Sequence, residues 1–542
     1  MVVLGIGGFM HDYNCAIIDL KKKRVAMFEA ERISRRKHHV IRKEDDMLAP
    51  IRQCCDTLDI ALRHIDVVVF GHTDPFPCRE WIKERLGRGK KYIDVDHHHC
   101  HAAGAFFASG LESAAIVTLD GFGDGASGIL AHGRGKSIDV LERLSDQDSI
   151  GLEYTRATYH LGLGGYGAEG KTQGLAPYGE PTLFDRYMEQ IEILPSGQMR
   201  LGEALRTQAS RLAVEGGYLN AQLLNNDFLD EQLPRRIDPE PITRDHMNLA
   251  ASIQKTLETV AGRLCTIARQ RTGEADLVLG GGVTMNSSLN GKLLEQGFRR
   301  IFPLPMASDR GIGLGAALYY VHQVLGEERF FKLDSVFHGQ AFADKAGESA
   351  MRRAGLRVVK GEDVIEIAAR ALAEGKIIGW FQGRSEMGAR ALGNRSILAD
   401  PRQADMKDII NARVKHREWF RPFAPVALAG DAPGYFDYPP EVADLDFMTF
   451  TTPARQAARE ACPAVVHVDG TARLQVLRAT DDRPYARLIR RFGALTGVPV
   501  LLNTSFNDQG EPIVEAPEEA VQTFLKADMD LLCIGNLLGY KS

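Results

Sequence analysis

The 542-residue sequence predicts an α/β protein of two domains. Three stretches carry that expectation. At the start, VVLGIG, NCAIID and RVAMFEA (residues 2 to 7, 14 to 19 and 24 to 30) are short apolar runs parted by turn residues, the pattern of a β-meander. Further on, Leu249, Ile253, Leu257, Val260, Leu264 and Ile267 recur at steps of three and four and lead into LVLGG at 277 to 281, so a long amphipathic helix feeds a strand. Finally, periodicity lapses between about 322 and 350, in HQVLGEERFFKLDSVFHGQAFADKAGES, and a new alternation begins. The boundary is placed near 340, giving domains 1–340 and 341–542.

The second domain reads as helix-like EDVIEIAARALAEG, strand-like KIIGWF, an apolar VPVLLN strand and a final DLLCIG strand. No repeat of about 20 to 50 residues and no low-complexity tract interrupts the chain. A hydrophobic share of 44% with 25% charged residues describes a globular protein with a sizeable core. The net charge of −5 gives no global attraction to nucleic acid. The eight cysteines form no CxxC pair, which favours reduced thiols over a disulfide framework. The opening MVVLGIGGFMHDYN has no basic n-region, and His11 and Asp12 interrupt its apolar run. A cytoplasmic protein without a secretory signal or membrane span is therefore expected.

In DVDHHHCHAAGAFFASG, His97 and His101 are four apart, so on a helix both imidazoles share one face and can share one metal; Cys100 lies off that face. Such a pair needs acidic partners. Asp120 ends the apolar run in AAIVTLDGFGDG, and Asp309 stands before a helix in PMASDRGIGLGAAL. Two imidazoles and two carboxylates suit a divalent ion such as iron(II), manganese or zinc, although DG and DRG are also ordinary turn sequences. GGGVTMNSSLN follows a strand, and its glycines Gly281 and Gly282 let backbone approach a ligand closely; it matches neither a Walker A loop nor a dinucleotide fingerprint. EGKTQGLAPYG offers Glu169 and Lys171 beside small residues. His11, at a turn between strands, is a candidate base for a substrate hydroxyl, against the bland reading of a solvated turn histidine. The basic run RISRRKHH, containing Lys37, is either a solvated face or a set of phosphate contacts.

In the second domain, WFQGRSEMGARALGNRSILADPR and NARVKHREWFRPFAPV concentrate cations among glycines and aromatics in an acidic chain, which points to anionic substrates. Lys415, Arg417 and Arg421 converge on a phosphate only if their stretch bends, as Pro422 and Pro425 allow. Trp419, Phe420 and Phe423 argue against a wholly exposed segment. HVDGTARLQ adds Arg473, and VPVLLNTSFNDQGEPIV leads a strand into Asn503, Ser505 and Asn507, whose amides and hydroxyl can bind neutral groups or merely form a polar turn.

The ordered set HD, RRKHH, HHHCHAAGAF, DGFGDG, EGKTQGLAPYG, GGGVTMN and SDRGIGLGAAL, followed by the second-domain motifs, resembles the O-carbamoyltransferases of antibiotic and nodulation-factor biosynthesis. The resemblance implies an actin/sugar-kinase/Hsp70-like (ASKHA) first domain and a YrdC-like α/β second domain. It implies that His97, His101, Asp120 and Asp309 hold a divalent metal, with Fe(II) foremost, and that the glycine loop and Asn286 hold adenosine. Lys37, Glu169 and Lys171 would lie at the transfer site with His11 as base. Lys415, Arg417, Arg421 and Arg473 would surround the phosphates of carbamoyl phosphate and of ATP, which comes with Mg2+, and Asn503 and Ser505 would lie near the carbamoyl and nucleotide groups. The implied reaction joins carbamate to ATP as carbamoyl-adenylate and then passes the carbamoyl group to a hydroxyl of a natural product. Because a mixed anhydride is lost to water, the two sites are expected to share a shielded cavity.

Other readings stay open. They are carbamoyl or threonylcarbamoyl transfer to a protein or tRNA, a sugar-kinase-like phosphotransferase, and an ATP-dependent binding module of the Hsp70 kind. The first lacks the zinc-finger cysteines or broad basic surface expected of it, and the last leaves the HxxxH set unused. Segment 181 to 245 is assigned to the acceptor pocket without a recognisable motif. A monomer and a homodimer are equally compatible with the sequence.

Overall fold

The computed structural model of the chain describes residues 1–41, 44–71, 78–206, 227–360 and 363–541, so part of the acceptor-pocket segment, 207–226, lies outside the described residues. The chain forms two compact units. One comprises Met1–Ser34, His38–Asp334 and Glu441–Ala443; the other comprises Arg35–Lys37, Ser335–Pro440 and Asp444–Ser542.

In the first unit the opening meander forms as the alternating apolar runs require, with β1 (Val2–Gly7), β2 (Asn14–Asp19) and β3 (Arg24–Glu29) pairing antiparallel. Strands β4 (Val67–Phe70) and β5 (Lys91–Asp94) then add in parallel beside β1, giving the order β3-β2-β1-β4-β5. The helices Glu44–Leu58, Cys78–Leu86 and His97–Ser109 follow β3, β4 and β5 in turn. The same plan then repeats. Strands β6 (Ser113–Gly123), β7 (Ala126–Arg134) and β8 (Ser137–Ser145) form a second antiparallel meander. An insertion follows, with the hairpin β9 (Ile191–Ile193) and β10 (Met199–Leu201). Strands β11 (Asp276–Gly280) and β12 (Arg300–Pro303) pair in parallel beside β6, in the order β12-β11-β6-β7-β8. The helices Arg244–Thr272, Ser287–Leu293 and Ile312–Tyr319 take the three corresponding places. A meander plus two parallel strands, made twice, is the duplicated α/β arrangement expected of an actin/sugar-kinase/Hsp70-like domain.

The long amphipathic helix spans Arg244–Thr272, starting at a Thr243 capping box and ending at Gly273 in the left-handed conformation. Strands β4 and β11 are buried throughout, as parallel strands covered on both faces are. The third helices of the two halves pack on each other so closely that a Cβ on Gly315 would lie 1.9 Å from the carbonyl oxygen of Cys100. Only glycine permits that approach, and it draws the two helix starts together.

The second unit is an eight-stranded mixed sheet. Its strands are β13 (Arg357–Lys360), β14 (Ile378–Phe381), β15 (Arg395–Ala399), β16 (Ala424–Leu428), β19 (Gln475–Leu477), β20 (Val500–Ser505), β21 (Leu531–Ile534) and β22 (Leu537–Tyr540); the short pair β17 (Thr452–Pro453) and β18 (Thr471–Ala472) stands apart. Helices Val364–Ala373 and Pro484–Thr496 press Ala368, Leu372, Leu488, Ile489 and Phe492 onto Ile378, Trp380, Leu398 and Leu501. Each of the leucine, isoleucine and phenylalanine side chains contributes about 1.5–3 kcal/mol of burial. The described cysteines are free and buried. Among the described residues, no helix is long and apolar enough to cross a membrane.

Candidate functional site

The duplicated topology fixes where chemistry collects in the first unit. His97 and His101 lie on the helix that follows β5, and Asp309 precedes the equivalent helix of the second half. Asp120 sits in β6 where the pairing with β7 slips between Leu119 and Gly123, a bulge that turns its carboxylate out of the ladder. Asp96 seats the histidine helix by accepting hydrogen bonds from the backbone N–H groups of His98 and His99. Asp96→Ala should lower stability by about 1 kcal/mol in thermal or urea unfolding, and Asp96→Ser should restore most of that loss.

The His101 Nε2 atom lies 3.0 Å from His97 Nε2, 2.9 Å from Asp120 Oδ2 and 3.6 Å from Asp309 Oδ1, while His97 Nε2 lies 3.4 Å from Asp120 and 3.6 Å from Asp309. All four donor atoms fall within 4.8 Å of one another. Donors held at about 2.0–2.2 Å from one ion stand roughly 3.0–3.5 Å apart, so this set fits a single divalent metal of nitrogen and oxygen preference. Burial opposes charge on His101, but the Asp120 and Asp309 carboxylates outweigh it and hold the imidazole up at about 9. A metal entering the site therefore displaces a proton. Its neighbours are occupied elsewhere. His98 is kept neutral, its pKa lowered to about 3 by burial and by His97 and His101, and its ring bonds Thr118 and the Ala126 carbonyl. Cys100 turns its thiol toward the Val95 carbonyl.

His11 reaches the edge of this cluster, with Nε2 3.7 Å from Asp309 Oδ2. Its other nitrogen, Nδ1, is 2.8 Å from the Tyr166 hydroxyl. Behind it, buried Asp12 is 2.9 Å from His38 Nδ1 and 3.2 Å from the Arg310 guanidinium, which also pairs with Glu29 and Glu31. Tyr166, Arg310 and the Glu29/Glu31 pair went unsignalled in the sequence. Glu169 opens the helix Glu169–Leu175 half-buried, accepts a hydrogen bond from Thr155, and has its pKa raised by burial; Lys171 lies one half-turn on. Gly281 needs its glycine, because φ is 87° and a Cβ would meet the Leu119 carbonyl at 2.2 Å, and Gly282 passes close to Asp120. The Asn286 side chain caps the helix Ser287–Leu293 and pairs with Gln254 through both oxygen and nitrogen.

The second unit gathers cations. In RSEMGARALGNRS most of the motif is scaffold: Ser385 bonds Glu515, Glu386 accepts from the N–H groups of Leu392, Asn394 and Arg395, and the Arg395 guanidinium donates to carbonyls of Gln382, Gly383 and Glu515. Arg390 of the same motif instead places its charge near Arg473. The stretch after the helix Met406–Arg413 does bend, with His416 at φ 44°. Phe420 and Phe423 are buried, whereas Trp419 is exposed. Lys415 is buried with Nζ donating to the carbonyls of Ser505 and Asn507 and to Asn507 Oδ1, so it gathers the NTSFN loop. Burial pushes its pKa well below the usual lysine value, and Arg417, Arg421 and Lys37 add repulsion. Lys37, expected at the transfer site, thus belongs with the second unit. Arg417 is held down at about 9 by burial and Arg421. Arg421 has Glu418 at 3.7 Å. Arg473 is pushed well below the usual arginine value by burial and by Arg390, Arg417 and Arg421, and its Nε is buried without a hydrogen-bond partner. Asn503 donates to the Ala391 carbonyl and leaves its buried Oδ1 unpartnered. Arginine does not shed its proton, so the repulsion persists until an anion arrives. Pyrophosphate or ATP should therefore raise the melting temperature, by the equivalent of about 2.7 kcal/mol at a hundredfold excess over Kd, with a smaller gain in Arg417→Ala.

Known proteins resemble the chain over most of its length. Residues 88–318 match the family model described as Carbamoyltransferase N-terminus, and residues 369–541 match Carbamoyltransferase C-terminus. Nodulation protein NolNO of Sinorhizobium fredii is 37% identical over 98% of this chain and 79% of its own length. Nodulation protein NolO of Bradyrhizobium diazoefficiens is 40% identical over 82% of this chain and 78% of its own. Among solved structures, a full-length HypF in the phosphate- and nucleotide-bound form aligns at 16% identity and TM-score 0.35, over 60% of this chain and 55% of that one. With both halves of the family matched in order along one chain, the protein belongs to the carbamoyltransferase family.

Proposed function

We propose that the protein makes carbamoyl-adenylate from carbamoyl phosphate and ATP and transfers the carbamoyl group to a hydroxyl of a natural product, with residues 341–542 forming the adenylate and residues 1–340 using it. The observation that carries this reading is the pairing of two different sites in one carbamoyltransferase chain: a cation cluster short of counter-carboxylates, and a two-histidine, two-carboxylate set beside His11.

Polyphosphate chemistry asks chiefly for positioned positive charge. Arg473, Arg417, Arg421 and Arg390 supply it, with Lys415 holding the loop of Ser505 and Asn507 beside them. These groups bind the phosphates of Mg2+-loaded ATP and of carbamoyl phosphate. The unpartnered Asn503 Oδ1 suits the amide N–H of the carbamoyl group. In the first unit His97, His101, Asp120 and Asp309 would hold a divalent ion, Fe(II) by family resemblance, and it would supply Lewis-acid stabilisation there. His11 takes the proton of the acceptor hydroxyl as its oxygen attacks the carbamoyl carbon. Glu169 and Lys171 bind near the transferred group. The acceptor is a small hydroxylated molecule, and the setting is cytoplasmic.

His11→Asn separates the two halves of this route. The variant should release pyrophosphate in a carbamoyl phosphate-dependent manner at the parental rate, while carbamoylated acceptor, measured by mass spectrometry across a panel of hydroxylated metabolites, falls by about 10²–10⁴-fold. An unchanged product yield removes His11 from the reaction.

A further inference from the structure

We propose that the Ser308 hydroxyl is a phosphate-binding donor of the first unit, holding the phosphate of the adenylate and then of the AMP that leaves. The inference rests on the transfer reaction proposed above.

An unspent hydrogen bond carries it. Ser308 is 9% exposed, and its Oγ is buried without a hydrogen-bond partner. A hydroxyl in that state has given up water and gained nothing in exchange, so it calls for a reason. Local structure does not supply one. Ser308 stands just before the helical turn Asp309–Gly311, where a serine side chain ordinarily accepts from a backbone N–H, yet it makes no capping bond. Its carbonyl takes part instead, accepting from the Gly311 N–H at 3.0 Å. The side chain faces the glycine loop: a Cβ on Gly282 would stand 3.9 Å from Ser308 Cβ and 2.9 Å from Asp120 Oδ1. The side chain that Gly282 lacks thus leaves a space bounded by Ser308 and by the Asp120 carboxylate. One residue on, Asp309 contributes the second carboxylate of the four-donor set.

The backbone that carries this hydroxyl is held in place. Asn14 Nδ2 donates to the Asp309 carbonyl at 2.6 Å, and Asn14 Oδ1 accepts from the Gly313 N–H at 2.8 Å. Ser308 therefore meets a ligand by turning about one bond, without moving its chain. A neutral donor suits the place. A lysine or arginine there would pair with Asp120 or Asp309, whereas a hydroxyl donates without adding charge. During transfer the acceptor oxygen bonds the carbamoyl carbon, the bond from that carbon to the phosphate oxygen breaks, and its electron pair leaves with AMP. The acceptor proton goes to the base, and Ser308 keeps its own. Negative charge grows on the phosphate in that step, so the hydrogen bond from Ser308 strengthens as the bond breaks.

The test compares the parent with Ser308→Ala in the full chain, measuring acceptor carbamoylation, its inhibition by AMP and by adenosine at saturating ATP and carbamoyl phosphate, metal content and melting temperature. The kcat for transfer should fall about 10–100-fold, and AMP should inhibit less well by a similar factor, the range of one hydrogen bond to a charged group. Adenosine, which has no phosphate, should inhibit both proteins alike. Metal content and melting temperature should match the parent, because the hydroxyl has no partner to lose. Parental kcat with parental AMP inhibition overturns the inference, and so does an equal weakening of AMP and adenosine. Loss of metal or a lower melting temperature also overturns it, making Ser308 a structural support for Asp309. A parent that transfers no carbamoyl group to any acceptor ends the proposed reaction instead, while the AMP and adenosine affinities of the two proteins, read by calorimetry, still decide the phosphate contact.

Discussion

Arg473→Ala is expected to reduce carbamoyl phosphate-dependent pyrophosphate release by about 10²–10³-fold, the loss typical of one preorganised electrostatic contact in a desolvated site. Stability should move the other way or not at all. The guanidinium is surrounded by Arg390, Arg417 and Arg421, and its Nε has no partner, so removing it relieves repulsion in the ligand-free protein. Loss of activity together with an unchanged or higher melting temperature is the signature of a charge kept for a substrate. A structural arginine behaves differently: Arg395, stacked 3.5 Å over Phe381 and spent on backbone carbonyls, should cost stability first when replaced. Arg473→Lys is not expected to rescue, because a point charge does not reproduce a planar fork of donors.

The second large effect is expected from His97→Ala combined with His101→Ala. Metal analysis of the parent should give near one divalent ion per chain, and the double variant should retain almost none, since two of the four donors are gone. Acceptor carbamoylation should drop by at least about 10³-fold, while carbamoyl phosphate-dependent pyrophosphate release stays near the parental rate. Equal loss of both activities would place the two sites in one reaction step and contradict their separation.

How much of this was legible in the sequence depended on whether a feature is local. The opening strands and the helix through Leu249 to Ile267 follow from period, and the structure has them within a few residues. The duplication of β3-β2-β1-β4-β5 as β8-β7-β6-β11-β12 left no trace, because the halves share connectivity without sharing residues and an insertion parts them. The spacing of His97 and His101 was readable, being a property of one helix. That Asp120 and Asp309 meet them depends on a bulge in β6 and on the crossing at Gly315. Tyr166 was invisible for the same reason, since it touches His11 across 155 residues and sits in a glycine run that reads as a turn. Two side chains have protein partners that their chemical type does not reveal: the Asn286 amide caps a helix and pairs with Gln254, and the Lys37 charge acts on Lys415.

The division of labour between a cation cluster that activates and a histidine–carboxylate site that transfers is tested most directly by ³¹P NMR of the protein incubated with ATP, Mg2+ and carbamoyl phosphate. Pyrophosphate and inorganic phosphate should accumulate together with carbamoyl-adenylate, AMP should appear only as the carbamoyl group passes to an acceptor or to water, and no pyrophosphate should form when carbamoyl phosphate is left out. Formation of ADP in place of AMP and pyrophosphate would contradict the scheme and make the protein a phosphotransferase.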